Sequence, residues 1–305
     1  MGLALPGRLN ELVVVFVSIV LQSLPFVLLG VFASALVQRY VSADAVARWL
    51  PRRPGPIVLL ASVFGFVAPV CDCGVIPLAR RLSAKGVPLH GAVTFILAAP
   101  VVNPVVLVAT AFAFQGRWVI VGLRMAMTLS VAVAVGLLVS RLFPAGQSLL
   151  PGARPIRGGS AGRPPDRPVG PAAGLVAHAS AEYVEIVFFV VLGALFTAAT
   201  QTFVPRGDLA AIGGSRIGSV LALMPVATVL SICSEADAFV ARAFATTFSP
   251  GAVLAFMTIG QIVDLRNGVL LFRTLRGGLV ALIVVVAYVL VFLEGVLVNT
   301  LLAAS

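Results

Sequence analysis

Charge is what this sequence has least of. Of its 305 residues only 10% are Asp, Glu, Lys or Arg, against roughly 25% in a soluble domain. Acidic residues are scarcest, 11 against 21 basic ones, and Lys85 is the single lysine. Three cysteines and two histidines complete the short supply of reactive side chains. The shortage of charge excludes a soluble globular domain. The odd cysteine count, with all three thiols in apolar surroundings, argues against a disulfide scaffold. No phosphate-binding glycine loop, nucleophile elbow or HExxH is present, so an ATPase or protease has no support. The chain is not expected to be an enzyme, and no cofactor is expected.

What is present is hydrocarbon. Hydrophobic residues make up 60% of the chain, and the mean hydropathy is +1.11. Stretches of about 20 apolar residues cross a bilayer, and this chain offers several, which makes it a multi-pass membrane protein. The net charge of +10 is spread singly through loops, as topology signals and headgroup contacts require, and no nucleic-acid partner is implied. The first apolar run, Leu12 to Val37, is too long for the core of a cleavable signal, so none is expected. Arg in place of Lys, with the Ala, Val and Gly bias, points to a bacterium with GC-rich DNA and hence to its cell membrane.

Apolar segments run from Glu11 to Val41, Ile57 to Val70, Val87 to Phe114 and Trp118 to Leu142, the last with Arg124 inside and Arg141 next to its end. Residues 146–171 are rich in Pro, Gly and Ser, with Arg154, Arg157, Arg163 and Arg167, and read as an extended linker. The pattern then restarts with Glu182 to Val204, Ile217 to Cys233, Gly251 to Val263 and Gly278 to Leu302. Phe26-Val-Leu-Leu-Gly30 matches Phe189-Val-Val-Leu-Gly193. Gln38 matches Gln201, Cys73 matches Cys233, Gly91-Ala-Val93 matches Gly251-Ala-Val253, and Gly136 falls near Gly295. All lie in the same order at offsets of 159 to 163 residues.

The expected fold is therefore all-α, with about eight transmembrane helices in two homologous repeats and interrupted helices at the repeat interface. The first repeat covers residues 1–143, the linker 144–175 and the second repeat 176–305. Interrupted helices at corresponding positions of two repeats point to a transport site between them. Four full crossings per half make the repeats parallel; a segment that re-enters without crossing makes them inverted. Eight crossings, with both termini and the linker cytoplasmic, fit the basic clusters best, although Arg39, Arg48, Arg52 and Arg53 oppose that arrangement.

Two knots carry the chemistry. Pro69-Val-Cys-Asp-Cys-Gly-Val-Ile-Pro77 places a carboxylate between two thiols where prolines and a glycine oppose a regular helix. Ser231-Ile-Cys-Ser-Glu-Ala-Asp237 is its partial echo. Carboxylates in hydrocarbon face a cavity or a partner, which singles out Asp72, Glu235, Asp237 and Asp264; the plainer alternative is a helix start favoured by the macrodipole for Glu235 and Asp237 and a loop at the membrane surface for Asp264. Thiolates prefer soft centres. Cys71 and Cys73 on one side of an extended segment, with Cys233 from the other half, form the candidate ligand set for a thiophilic solute or metal ion. A lone membrane cysteine is otherwise a core hydrophobe. Asn103, in the break Pro100-Val-Val-Asn-Pro104, offers an uncharged ligand or a helix cap, and Gln261, Asp264 and Asn267 stand at the corresponding break.

Cys71-Asp-Cys-Gly-Val-Ile-Pro77, Gly91-Ala-Val-Thr-Phe95, Ala99-Pro-Val-Val-Asn-Pro104 and Cys233-Ser-Glu-Ala-Asp-Ala-Phe-Val-Ala241 resemble the bacterial predicted-permease family that includes trivalent organoarsenical efflux permeases. The resemblance implies a secondary permease exporting methylarsenite-type compounds. A metal-ion permease, for example for zinc, or the membrane subunit of a metal-handling complex with a partner subunit in or outside the membrane, stands as the alternative. A membrane scaffold without transport is the third expectation, and it requires that the breaks of the two halves share no cavity.

Overall fold

The computed structural model describes residues 9–21, 51, 53–66, 72–143, 215–234 and 236–304, with isolated helical positions at 24–28 and 183–199. Among the described residues the protein is helical, with no strand. The helices are α1 (Leu9–Leu21), α2 (Pro54–Phe64), α3 (Asp72–Ala84), α4 (Leu89–Val102), α5 (Pro104–Ala113), α6 (Trp118–Leu142), α7 (Arg216–Leu230), α8 (Asp237–Phe244), α9 (Pro250–Ile262), α10 (Leu265–Thr274) and α11 (Gly277–Ala304).

Among the described residues, two helices are long and apolar enough to cross a membrane alone. They are α6, with 25 residues, and α11, with 28. At 1.5 Å per residue these reach about 37 and 42 Å, beyond the roughly 30 Å hydrocarbon core. A third crossing is available if α4 and α5, bent by 41° at their junction, act as one. Helices α1, α2, α7 and α9 are apolar but shorter.

The bend between α4 and α5 follows from local sequence. Asn103 precedes a proline, which drives its backbone out of the helical region to φ −58°, ψ 129°. Its side-chain oxygen then accepts the N–H of Val105 at 2.9 Å and caps α5. The interruption between α9 and α10 has no proline at all. Val263 is extended there, and the N–H of Leu265 is capped from afar by the Ser231 hydroxyl at 3.0 Å. Ser231 itself ends α7 in the left-handed region, φ 45°.

Packing is built on close backbone approach. A Cβ on Gly136 of α6 would run into the Thr94 hydroxyl of α4, with Val58 of α2 just behind. A Cβ on Gly251 of α9 would run into the backbone carbonyl of Gly295 on α11. Helices α2, α4 and α6 thus pack on one another, as do α7, α9 and α11. Across the molecule α3 meets α10, α5 meets α8, and α6 lies along α11. The last two run antiparallel. The first turns of α6 and Leu302 near the end of α11 line one cleft, while further along Ser130 donates a hydrogen bond to Glu294.

Polar side chains tie the end of α11 to its neighbours. Asn299 accepts the Gly251 N–H at 2.7 Å and donates to the Arg216 carbonyl and the Ser249 hydroxyl at 3.0 and 2.8 Å.

Candidate functional site

The best-defined polar cluster lies where α5, α6, α8 and α9 meet. Arg124 enters from α6, six residues after its start, which is about 9 Å along the helix axis. Its side chain is fully buried, and its Nη2 donates to Asp237 Oδ2 at 2.7 Å. Its Nη1 donates to the Thr110 hydroxyl of α5 at 2.7 Å and lies 3.9 Å from the Met257 sulfur of α9. Gln261, also on α9, donates from Nε2 to the same Asp237 oxygen at 2.7 Å and to the Ile232 carbonyl at 3.4 Å. Both contacts are acceptors, which fixes the amide orientation.

Local sequence delivers Asp237 to this point. Residues 231–234 leave the helix after α7, and the Cys233 carbonyl accepts the N–H groups of Ala236 and Asp237 at 2.9 Å each. Asp237 opens α8, so it occupies the helix-start position that would explain it on its own. Its carboxylate nevertheless reaches Arg124, 113 positions earlier in the chain. A buried charge is tolerated when paired and hydrogen-bonded, and Thr110 and Gln261 supply the added bonds.

The two breaks meet beside this cluster. Pro100 at the end of α4 and Gln261 at the end of α9 line one small void, with Val75 and Ile76 of α3 and Leu271 of α10 among its other walls. Its volume is about 10 Å³, room for about one water and no larger solute. Gln261 Oε1 and Thr258 Oγ1, one helical turn apart on α9, are buried without a hydrogen-bond partner among the described residues. Buried polar groups are seldom left so.

Of the residues expected from the sequence, Asp237 is at the centre of the cluster. Cys233 is buried in the adjoining turn. Asn103 is buried and used as a helix cap. Asp264 is also buried, 3% exposed, and so does not sit in a surface loop. Cys71 and Glu235 lie outside the described residues, and for Asp72 and Cys73 only the backbone is described, within the first turn of α3. Among the described residues no group of three or more His, Cys, Asp or Glu gathers in a way that could hold a metal. Arg124 and Thr110 are not among the site residues expected from the sequence. Arg124 carries one usable signal, a charge well inside an apolar span whose other charge, Arg141, lies next to its end.

A second polar contact joins the long helices near mid-span. Ser130 is 12 residues from either end of α6, and its hydroxyl meets the Glu294 carboxylate of α11. Glu294 Oε2 has no partner among the described residues.

Residues 8–300 match the family described as Predicted permease. The chain is 36% identical over 285 residues to the UPF0718 protein YcgR of Bacillus subtilis, covering 93% of this chain and 96% of that one. It is 32% identical over 263 residues to a putative two-component membrane permease complex subunit of Streptococcus mutans, covering 86% of each. No solved structure matches the chain.

Proposed function

The chain belongs to the predicted-permease family, and from that premise we propose that this membrane permease moves a small thiophilic solute between two inverted halves. The observation that carries the proposal is the buried Arg124–Asp237 pair, which ties the first half to the second beside the void shared by their breaks. The pair joins the uninterrupted helix α6 to the start of α8 beside the breaks, and the interface of two repeats next to interrupted helices is where transporters place their site.

The repeat relation expected from the sequence is supported by matching packing. Helices α2 to α6 and α7 to α11 occur in the same order, and each half rests its third helix, α4 or α9, on its first and last. The cross-contacts α3 with α10 and α5 with α8 exchange under the same pairing. The antiparallel course of the equivalent helices α6 and α11 supports an axis in the membrane plane and so inverted halves, an arrangement that goes with an odd number of crossings in each half. The 144–175 linker then faces the side opposite both termini.

The thiophilic part of the proposal rests on Cys71, Cys73 and Cys233, with Asp72 and Glu235 beside them in the two knots. Methylarsenite-type compounds are the solutes that the family resemblance favours; Asp72 and Cys73 open α3 in place of the extended segment expected, so the reading rests on the preference of thiolates for soft centres and not on the two-residue spacing. Uptake of methylarsenite into inverted vesicles tests this. Cys71→Ser and Cys73→Ser should each abolish it while leaving the protein folded, and unchanged uptake in both variants rejects the thiol mechanism.

A second reading has a specific observation behind it. The Streptococcus mutans relative carries the name of a subunit in a two-component membrane permease complex, so this chain works with a second membrane or extracytoplasmic subunit. Equilibrium binding of zinc against methylarsenite to the purified chain separates a metal-handling complex from an arsenical permease.

A further inference from the structure

A cleft of about 540 Å³ opens at the end of the bundle where α6 begins and α11 finishes. Its volume is in the range of small-molecule sites. Two guanidinium groups line it, Arg117 just before α6 and Arg242 in the last turn of α8. Neither has a carboxylate partner among the described residues; Arg242 instead lies over the Phe114 ring at 6.0 Å. Trp118, the first residue of α6, is 67% exposed at the rim. The rest of the wall is hydrocarbon, including Leu123, Val253 and Leu302.

Several features fix the depth of this cleft. Both membrane-crossing helices terminate here, and an exposed tryptophan at a span end belongs at the headgroup level. Unneutralised arginines at that depth meet lipid phosphates. The cleft is thus cationic at the headgroup level and apolar toward the bilayer interior. A soluble anion would use the first property and waste the second, whereas a two-tailed anionic lipid uses both.

We propose that this cleft is a specific binding site for an anionic phospholipid, its phosphodiester held by Arg117 and Arg242 and its acyl chain lying along Leu123, Val253 and Leu302. The site draws residues from the turn between α5 and α6 and from α6, α8, α9 and α11, so an occupied cleft pins both halves together at this end. The proposal is independent of which solute the permease carries.

The test is thermal unfolding of the purified full chain, delipidated in neutral detergent and supplied with phosphatidylglycerol, phosphatidylcholine or glycerol phosphate. Phosphatidylglycerol should raise the unfolding temperature, with half-saturation at least tenfold below that of phosphatidylcholine, and glycerol phosphate should have no effect. Arg117→Gln and Arg242→Gln should each weaken the phosphatidylglycerol response at least threefold. Equal responses to the two lipids overturn the proposal, as does a response to glycerol phosphate matching that to the lipid. Unchanged behaviour of Arg117→Gln overturns it too; this residue is exposed, so its replacement serves even if loss of the Arg242–Phe114 contact impairs folding.

Discussion

Replacing Arg124 by Met removes a cation of similar length from a fully buried position and leaves Asp237 facing only Gln261 among the donors described for Oδ2. With charge centres roughly 4 Å apart, the pair's gross attraction is about 4 kcal/mol at an effective dielectric constant of about 20. Stripping one partner from a buried pair costs about 3–5 kcal/mol, because the remaining charge is left in low dielectric. An unfolding temperature lower by roughly 10 °C is the corresponding scale. Asp237→Leu should cost a similar amount for the mirror reason. The double variant should recover most of the loss, since replacing both charges by apolar side chains is often neutral or stabilising. A double-mutant cycle on the purified protein reads this coupling directly. The transport assay adds a second readout: the double variant should be stable yet impaired in moving solute, because the polar latch between α6 and α8 is gone. A loss below about 1 kcal/mol in Arg124→Met, or a double variant as unstable as the sum of the singles, would falsify the account of the pair.

Three further outcomes are expected. Reporter tags at the N-terminus and within residues 150–165 should be accessible from opposite faces of the membrane, whereas accessibility from one face would reject the inverted arrangement. Gly136→Val should lower stability by about 1–3 kcal/mol by overpacking against Thr94 and Val58, and an unchanged melting temperature would show that α4 and α6 approach less closely. Asn299→Leu strands the Gly251 N–H, while the Arg216 carbonyl keeps the Ser219 hydroxyl as donor, at about 1–3 kcal/mol for the group left unsatisfied; a melt within 1 °C of wild type would contradict the polar staple.

What could be read from the sequence followed local chemistry. The break at Asn103 is visible because a proline dictates the backbone of the residue before it, and the cap comes from the same residue. The matching break at Val263 has no such mark: its helix start is capped by Ser231, 34 positions away, and only the fold brings the two together. Asp237 was legible as a carboxylate that needed a reason to be in hydrocarbon. Its partner was not, because pairing it with Arg124 requires knowing that α6 of one half faces α8 of the other. The antiparallel course of α6 and α11 was likewise beyond a hydropathy pattern, which records that a segment crosses and not in which direction.

The tightness of the junction near Gln261 bears on what the resting protein does to the cell. Among the described residues, the void between the breaks holds about one water, too little for a file along which protons or sodium could slip at that point. High expression of the unmodified permease should therefore leave the membrane potential intact, and solute flux should proceed in discrete conformational cycles with a steep temperature dependence. Loosening the tie between α6 and α8 is the change that would turn a pump-like cycle into a leak.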